Sequence, residues 1–130
     1  MFKINLTYCL ISFVLVGSNS FASSPKSFQL PSKAKIQIKG FKTDGNEADT
    51  KLCSDFRLNE AGLRNVFSTY RVITPKELHD YYDWLPCFIE GTITYQNKSY
   101  AFKARAGNIL HTDYPDGVKR DLAGKRTTSP

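Results

Sequence analysis

The sequence predicts an α+β domain: a small, mainly antiparallel sheet packed on two short helices in the order β-α-α-β-β(-β), with one disulfide. Three observations lead there. Apolar and polar residues alternate over 33–42 and again over 87–106, the period of strands with one buried face. Between these runs, two stretches repeat apolar residues at helical spacing behind good start signals. Cys53 and Cys87 bracket both helical stretches.

The chain opens on an export signal. Lys3 supplies a positive start, Leu6 to Val16 a short apolar run, and Ser20-Phe21-Ala22 a small-x-small cleavage site, so residues 1–22 read as a signal peptide of bacterial type. The run is shorter than the roughly 20 residues a membrane-spanning helix needs, and no later stretch approaches that length. Cys9 lies within the signal, and an exported chain with two remaining cysteines is expected to join them. A redox pair would favour Cys-x-x-Cys spacing, and a thiolate metal site needs more ligands. The expected location is periplasmic or secreted, in a Gram-negative bacterium.

About a hundred residues follow the signal, enough for one domain with one core. Residues 23–32, rich in serine and proline, read as a flexible leader, 33–122 as the domain, and 123–130 as a disordered polar tail. Lys35-Ile36-Gln37-Ile38-Lys39 alternates strictly, and its outward lysines suit a sheet edge. Residues 43–50 read as a polar loop. Asn59 can cap the first helix, whose apolar stripe is Leu63, Val66, Phe67 and Tyr70. The second begins at Thr74-Pro75-Lys76-Glu77, a capping box with proline in the first turn. Its stripe is Leu78, Tyr81, Tyr82 and Leu85, and Pro86 ends it. A hairpin follows, with Cys87, Ile89, Gly91, Ile93 and Tyr95 facing one way and Tyr100, Phe102, Ala104 and Ala106 joining them after a turn at 96–98. Asn108 to Tyr114 is a candidate third strand before a Pro115-Asp116-Gly117 turn. Both helices are expected on one face of the sheet.

The formal net charge of +6 draws an exported protein towards acidic proteins, anionic lipids or acidic glycans, whereas export argues against nucleic acid. His79 and Asp83 share a helical face and, with His111 and Asp113, are weak candidates for zinc. No His-Glu-x-x-His pattern supports them, so no metal or other cofactor is assigned. Glu77, Asp80, Asp83 and Glu90 could pair as glycosidase carboxylates, but the chain has neither a Gly-x-Ser-x-Gly turn nor a glycine-rich phosphate loop. Catalysis stays open with binding preferred, and no catalytic residue is named.

Recognition has better material. Tyr82, Asp83 and Trp84 combine rigid aromatic bodies with charge, as binding hot spots do. Lys103 and Arg105, with Lys119 and Arg120, form a second candidate contact patch on the open sheet face. The ordinary expectations compete with both. A tryptophan beside a disulfide belongs in the core, as does Tyr81, and surface lysines are usually only solvated.

The stretch from Cys53 to Gly107 resembles a family of small exported uncharacterised proteins of Gram-negative bacteria. The resemblance lies in Cys53, Phe56 and Leu58, in Val66 and Tyr70, and in the Thr74-Pro75-Lys76-Glu77 box. It continues through the His-x-Tyr-x-x-Trp-x-Pro-Cys run from His79 to Cys87, then Gly91-Thr92, Tyr100, Phe102 and Ala106-Gly107. Members often carry further cysteines near the end, which this chain lacks after Cys87. The family has no established activity to transfer. In size and build such proteins are similar to immunity proteins that neutralise effectors of interbacterial competition. The preferred expectation is a non-catalytic periplasmic protein-binding module, an inhibitor or immunity protein. The alternatives are a small envelope hydrolase or metal-dependent enzyme using His79, Asp83 and His111, and an accessory that binds peptidoglycan or lipid headgroups.

Overall fold

In the computed structural model, which describes residues 27–126, the two alternating runs pair side by side. The expected signal segment, Met1 to Ala22, lies outside the described residues, as do 23–26 of the expected leader and 127–130 of the tail. Strand β1 (Lys35–Thr43) runs antiparallel to β3 (Cys87–Tyr95), which turns into β4 (Lys98–Arg105). Gln96 and Asn97 take φ of 52° and 65°, the backbone of a tight two-residue hairpin turn. β5 (Ile109–Thr112) and β6 (Arg120–Ala123) continue the sheet, and β2 (Arg71–Ile73) closes it. The order is β1-β3-β4-β5-β6-β2, antiparallel throughout, with β1 at an edge as its lysines predict.

Three short helices accompany the sheet: α1 (Glu47–Lys51), α2 (Glu60–Thr69) and α3 (Pro75–Tyr81). The α+β class and the Cys53–Cys87 disulfide stand as expected, with a Cα–Cα distance of 5.9 Å. The Asn59 side chain accepts from the Gly62 amide and caps α2. Leu63, Val66 and Phe67 then bury against Ile93, Phe102, Ala104, Leu110 and Leu122. Phe67 meets Phe102 and Tyr114 edge-on, with ring centroids 6.3 and 5.9 Å apart, the arrangement aromatic quadrupoles favour. No helix among the described residues is long and apolar enough to cross a membrane.

Five local expectations are corrected. The two helices lie on opposite faces, because helical spacing shows which side of a helix is apolar but not which sheet face it meets. α2 covers the face of Phe102, Leu110 and Leu122, while Leu78 and Tyr81 of α3 pack on Ile73, Ile109 and Ala123, which point the other way. The polar loop 43–50 contains α1, whose cap Asn46 accepts from the Asp49 amide. Val72 and Ile73 form an additional edge strand too short to show alternation. The described part of the leader, 27–32, is anchored: Leu30 is buried, and the Arg64 guanidinium donates to Pro31 O at 3.0 Å and to the following Ala34 O at 2.5 Å. The tail begins later than residue 123, since Leu122 and Ala123 are fully buried in β6 and the Lys125 carbonyl accepts from Asn108.

Candidate binding site

α3 begins as read, with Thr74 accepting from the Glu77 amide and Glu77 Oε1 accepting from the Thr74 amide. It ends at Tyr81, one turn before Pro86, and Tyr82 already has extended backbone. Tyr-Tyr-Asp-Trp is a poor helical sequence, and a tertiary contact replaces the missing turn. Tyr82 packs into the cluster of Ile73, Ile109 and Ala123, and its hydroxyl donates to Gly124 O at 2.7 Å. Tyr82 is therefore an anchor of the segment and not a contact residue. Trp84, in contrast, leaves the core and is 57% exposed.

Trp84 lies over the Arg105 guanidinium at 4.0 Å, and the Phe88 ring flanks the same guanidinium at 5.0 Å. Arg105 donates to both carboxylate oxygens of Asp44 at 2.9 Å and to Leu85 O at 2.9 Å. Its side chain is only 3% exposed, so Arg105 lies at the base of the groove and supports Trp84 from below. The Asp44 amide in turn donates to Pro86 O. The hydrogen bond from Arg105 holds the Asp44 carboxyl below the usual range, against the opposing effect of burial.

A cross-strand row runs beside this stack. Glu90 stands opposite Lys103, Lys103 opposite His111, His111 opposite Asp121, and Asp121 opposite Ile73. His111 Nδ1 is 2.8 Å from Asp121 Oδ1, and Arg105 Nε donates to His111 Nε2 at 3.4 Å. Because the arginine N–H can only donate, this network assigns the proton of the neutral ring to Nδ1 and its donation to Asp121. The Trp84 and His111 rings are 5.5 Å apart. Glu90 is held by Lys42 at 2.8 Å, which lowers its pKa, and Arg120 forms a two-point pair with Asp116 at 2.8 Å.

The result is a groove of about 850 Å³ on the face α3 leaves uncovered, lined among others by Ile73, Pro75, Trp84, Lys103, His111 and Lys119. Its arginines are internally paired, while Lys103 and Lys119 make no ion pair among the described residues. Of the predicted contacts, Trp84, Lys103 and Arg105 come together here, whereas Asp83 is exposed on the segment beside them. The weak metal set is not assembled: His79 is paired with Asp80 on α3, His111 with Asp121, and among the described residues no three of His, Cys, Asp and Glu converge. Sequence reasoning missed Asp44 and Asp121, which carry no motif and join the site only through the sheet register.

The chain matches no family model, no curated protein and no solved structure, so both fold and site rest on its own residues.

Proposed function

We propose that this protein is a non-catalytic binding module of the bacterial periplasm, of inhibitor or immunity type, that engages another protein through the groove beside Trp84. One observation carries the reading: a tryptophan held at 57% exposure on a buried, fully paired arginine. Leaving such a ring in water forgoes about 2 kcal/mol of burial free energy, which a partner recovers on binding. The ring is also immobilised before any partner arrives, which reduces the ordering cost of association. A rigid aromatic anchor rimmed by cations has the composition of an interface hot spot. The disulfide is consistent with an oxidising compartment. Acid–base catalysis by the His111–Asp121 pair is less well supported, because Nε2, the atom that would receive a proton, faces the Arg105 N–H.

The test uses wild-type protein and Trp84→Ala as baits on an envelope extract. A protein retained by wild type, lost from the variant and then bound by purified wild type supports the reading. Equal retention by a variant whose circular dichroism matches wild type refutes it.

A further inference from the structure

We infer that the occupant of the groove is an acidic peptide segment of the partner carrying a planar side chain among its carboxylates. This rests on the reading of the groove as a protein-binding site and adds the partner's chemistry. Three features of the groove converge on it.

The first is charge. Arg105, Arg120 and His111 have their carboxylates within the fold, at 2.8–2.9 Å. Lys103 and Lys119 line the groove without a direct ion pair among the described residues; Lys103 approaches the Phe88 ring at 4.9 Å and stands opposite Glu90, on which its charge acts at longer range. These two ammonium groups are the positions where carboxylates of an incoming chain lose least and gain most.

The second is the Trp84 ring. One face is occupied by the Arg105 cation at 4.0 Å, and the ring remains 57% exposed. A cation already seated on one face disfavours a second cation on the other and leaves that face to a flat, uncharged group. An aromatic side chain meets that requirement, and a lysine or arginine does not.

The third is shape combined with the remaining acids. Lys103 rises from the sheet floor, between Glu90 and His111 in the cross-strand row. A planar anionic membrane cannot follow a floor recessed beside Trp84, and a phosphate polymer whose backbone carries no N–H donors offers nothing to Asp113 and Asp121, which line the groove. A peptide alternates carboxylates with backbone N–H donors, and so presents donors to Asp121 as well as acceptors to the lysines. The volume, about 850 Å³, accommodates a short segment of this kind.

Trp84 is the only tryptophan, so its emission reports the groove directly in the intact protein. Four probes are titrated: a glutamate-rich peptide carrying phenylalanine, its lysine-for-glutamate counterpart, its alanine-for-phenylalanine counterpart, and phosphatidylglycerol vesicles. The expected result is a saturable emission change with the first peptide, weaker binding of the third, and none with the lysine peptide or vesicles. Added salt should weaken the first interaction, since its ion pairs lie at a solvated rim. Replacing Lys103→Glu and Lys119→Glu together should raise its Kd about tenfold or more. Equal response to the lysine peptide or to vesicles, no response to the acidic peptide, or unchanged affinity in the doubly reversed variant overturns the inference. If the acidic peptide fails while Trp84→Ala still loses a captured protein, the partner chemistry falls and the binding-module reading stands. If Trp84→Ala loses nothing, the module reading itself falls.

Discussion

Replacing Cys53 and Cys87 together by serine is expected to lower the unfolding free energy by about 4 kcal/mol. The bond joins residues 34 apart, for which the chain-entropy relation gives about 3.8 kcal/mol at 25 °C. Both sulfurs sit in an apolar cluster with Ala106, Phe41, Phe56 and Leu85, so new hydroxyls there need acceptors. Thr50 O lies 3.6 Å from Cys87 Sγ and Asp49 O 3.9 Å from Cys53 Sγ, close enough to serve after small shifts. The hydroxyls therefore add little, and loop entropy dominates. A domain of this size has about 5–15 kcal/mol in total, so the variant remains folded only with a thin margin. At about 4–8 °C per kcal/mol, its melting temperature should fall by roughly 15–30 °C.

The loss should also have a local component. Cys87 follows Pro86, whose carbonyl accepts from the Asp44 amide, and Asp44 holds Arg105 beneath Trp84. Releasing the disulfide loosens this corner, so Trp84 emission should move to the red under conditions where circular dichroism still reports a folded chain. Urea unfolding followed by both signals measures the two effects separately. A variant within about 1 kcal/mol of the parent at unchanged m-value would refute the loop-entropy account. Unchanged Trp84 emission would refute the link to the site.

Acid should weaken the fold through its paired carboxylates. Arg105 lowers the pKa of Asp44, Lys42 that of Glu90, and Arg120 brings Asp116 to about 2. Each binds a proton less readily folded than unfolded, so its stabilisation is present above the unfolded value near 4 and is lost as pH falls through the folded value. Melting temperatures should be nearly level from neutral pH to about 5 and decline between about 4 and 2, and a level profile to about 2 would dismiss these pairs. Arg105→Met keeps the stem beneath Trp84 but frees Asp44 and Leu85 O; with the Asp44 side chain 40% exposed and able to rehydrate, the expected loss is about 2 kcal/mol by urea unfolding. Gly91→Ala places a methyl group against Gln37 O of the neighbouring strand and within 2.8 Å of the Phe102 ring, with an expected loss of about 3 kcal/mol and a lower melting temperature.

What could be read from the sequence was what depends on near neighbours along the chain. Asn59 and Thr74 cap the helices they were expected to cap, because a capping contact spans only three residues. The alternation around Ile89–Ile93 and Tyr100–Ala104 marked the buried side of the hairpin for the same reason. The Cys53–Cys87 pairing followed from there being no third cysteine after residue 22, the end of the expected signal. What was illegible depends on register. His111 was grouped with His79 and Asp113 from chemistry alone, whereas its partner, Asp121, is supplied by the pairing of β5 with β6. Asp44 looked like one more residue of a polar loop, and only the meeting of β1 with β3 brings it to Arg105. For Trp84 the sequence offers both a contact residue and a core residue beside a disulfide, and what decides between surface and core is the paired arginine beneath it, 21 positions later.

The early end of α3 is what converts a packing element into a site. Had the helix continued to Pro86, Tyr81, Tyr82 and Leu85 would have formed one buried stripe, with no requirement for the chain to cross β4. Tyr82 is instead extended, and from an extended residue the position two further on points the same way about 7 Å along. Tyr82 can therefore hold the β6 side through Gly124 O while Trp84 lands on Arg105 of β4. The far end is pinned where Leu85 O accepts from Arg105 and Pro86 O accepts from Asp44. A segment fixed at both ends has little freedom left to lose, so the partner proposed to cover Trp84 would gain its apolar area with little ordering to offset. On the proposed reading, buried Tyr82 and buried Arg105 act by holding Trp84 in place, while Trp84, Pro75 and the lysines, with His111 and Asp121 between them, present the surface of the groove.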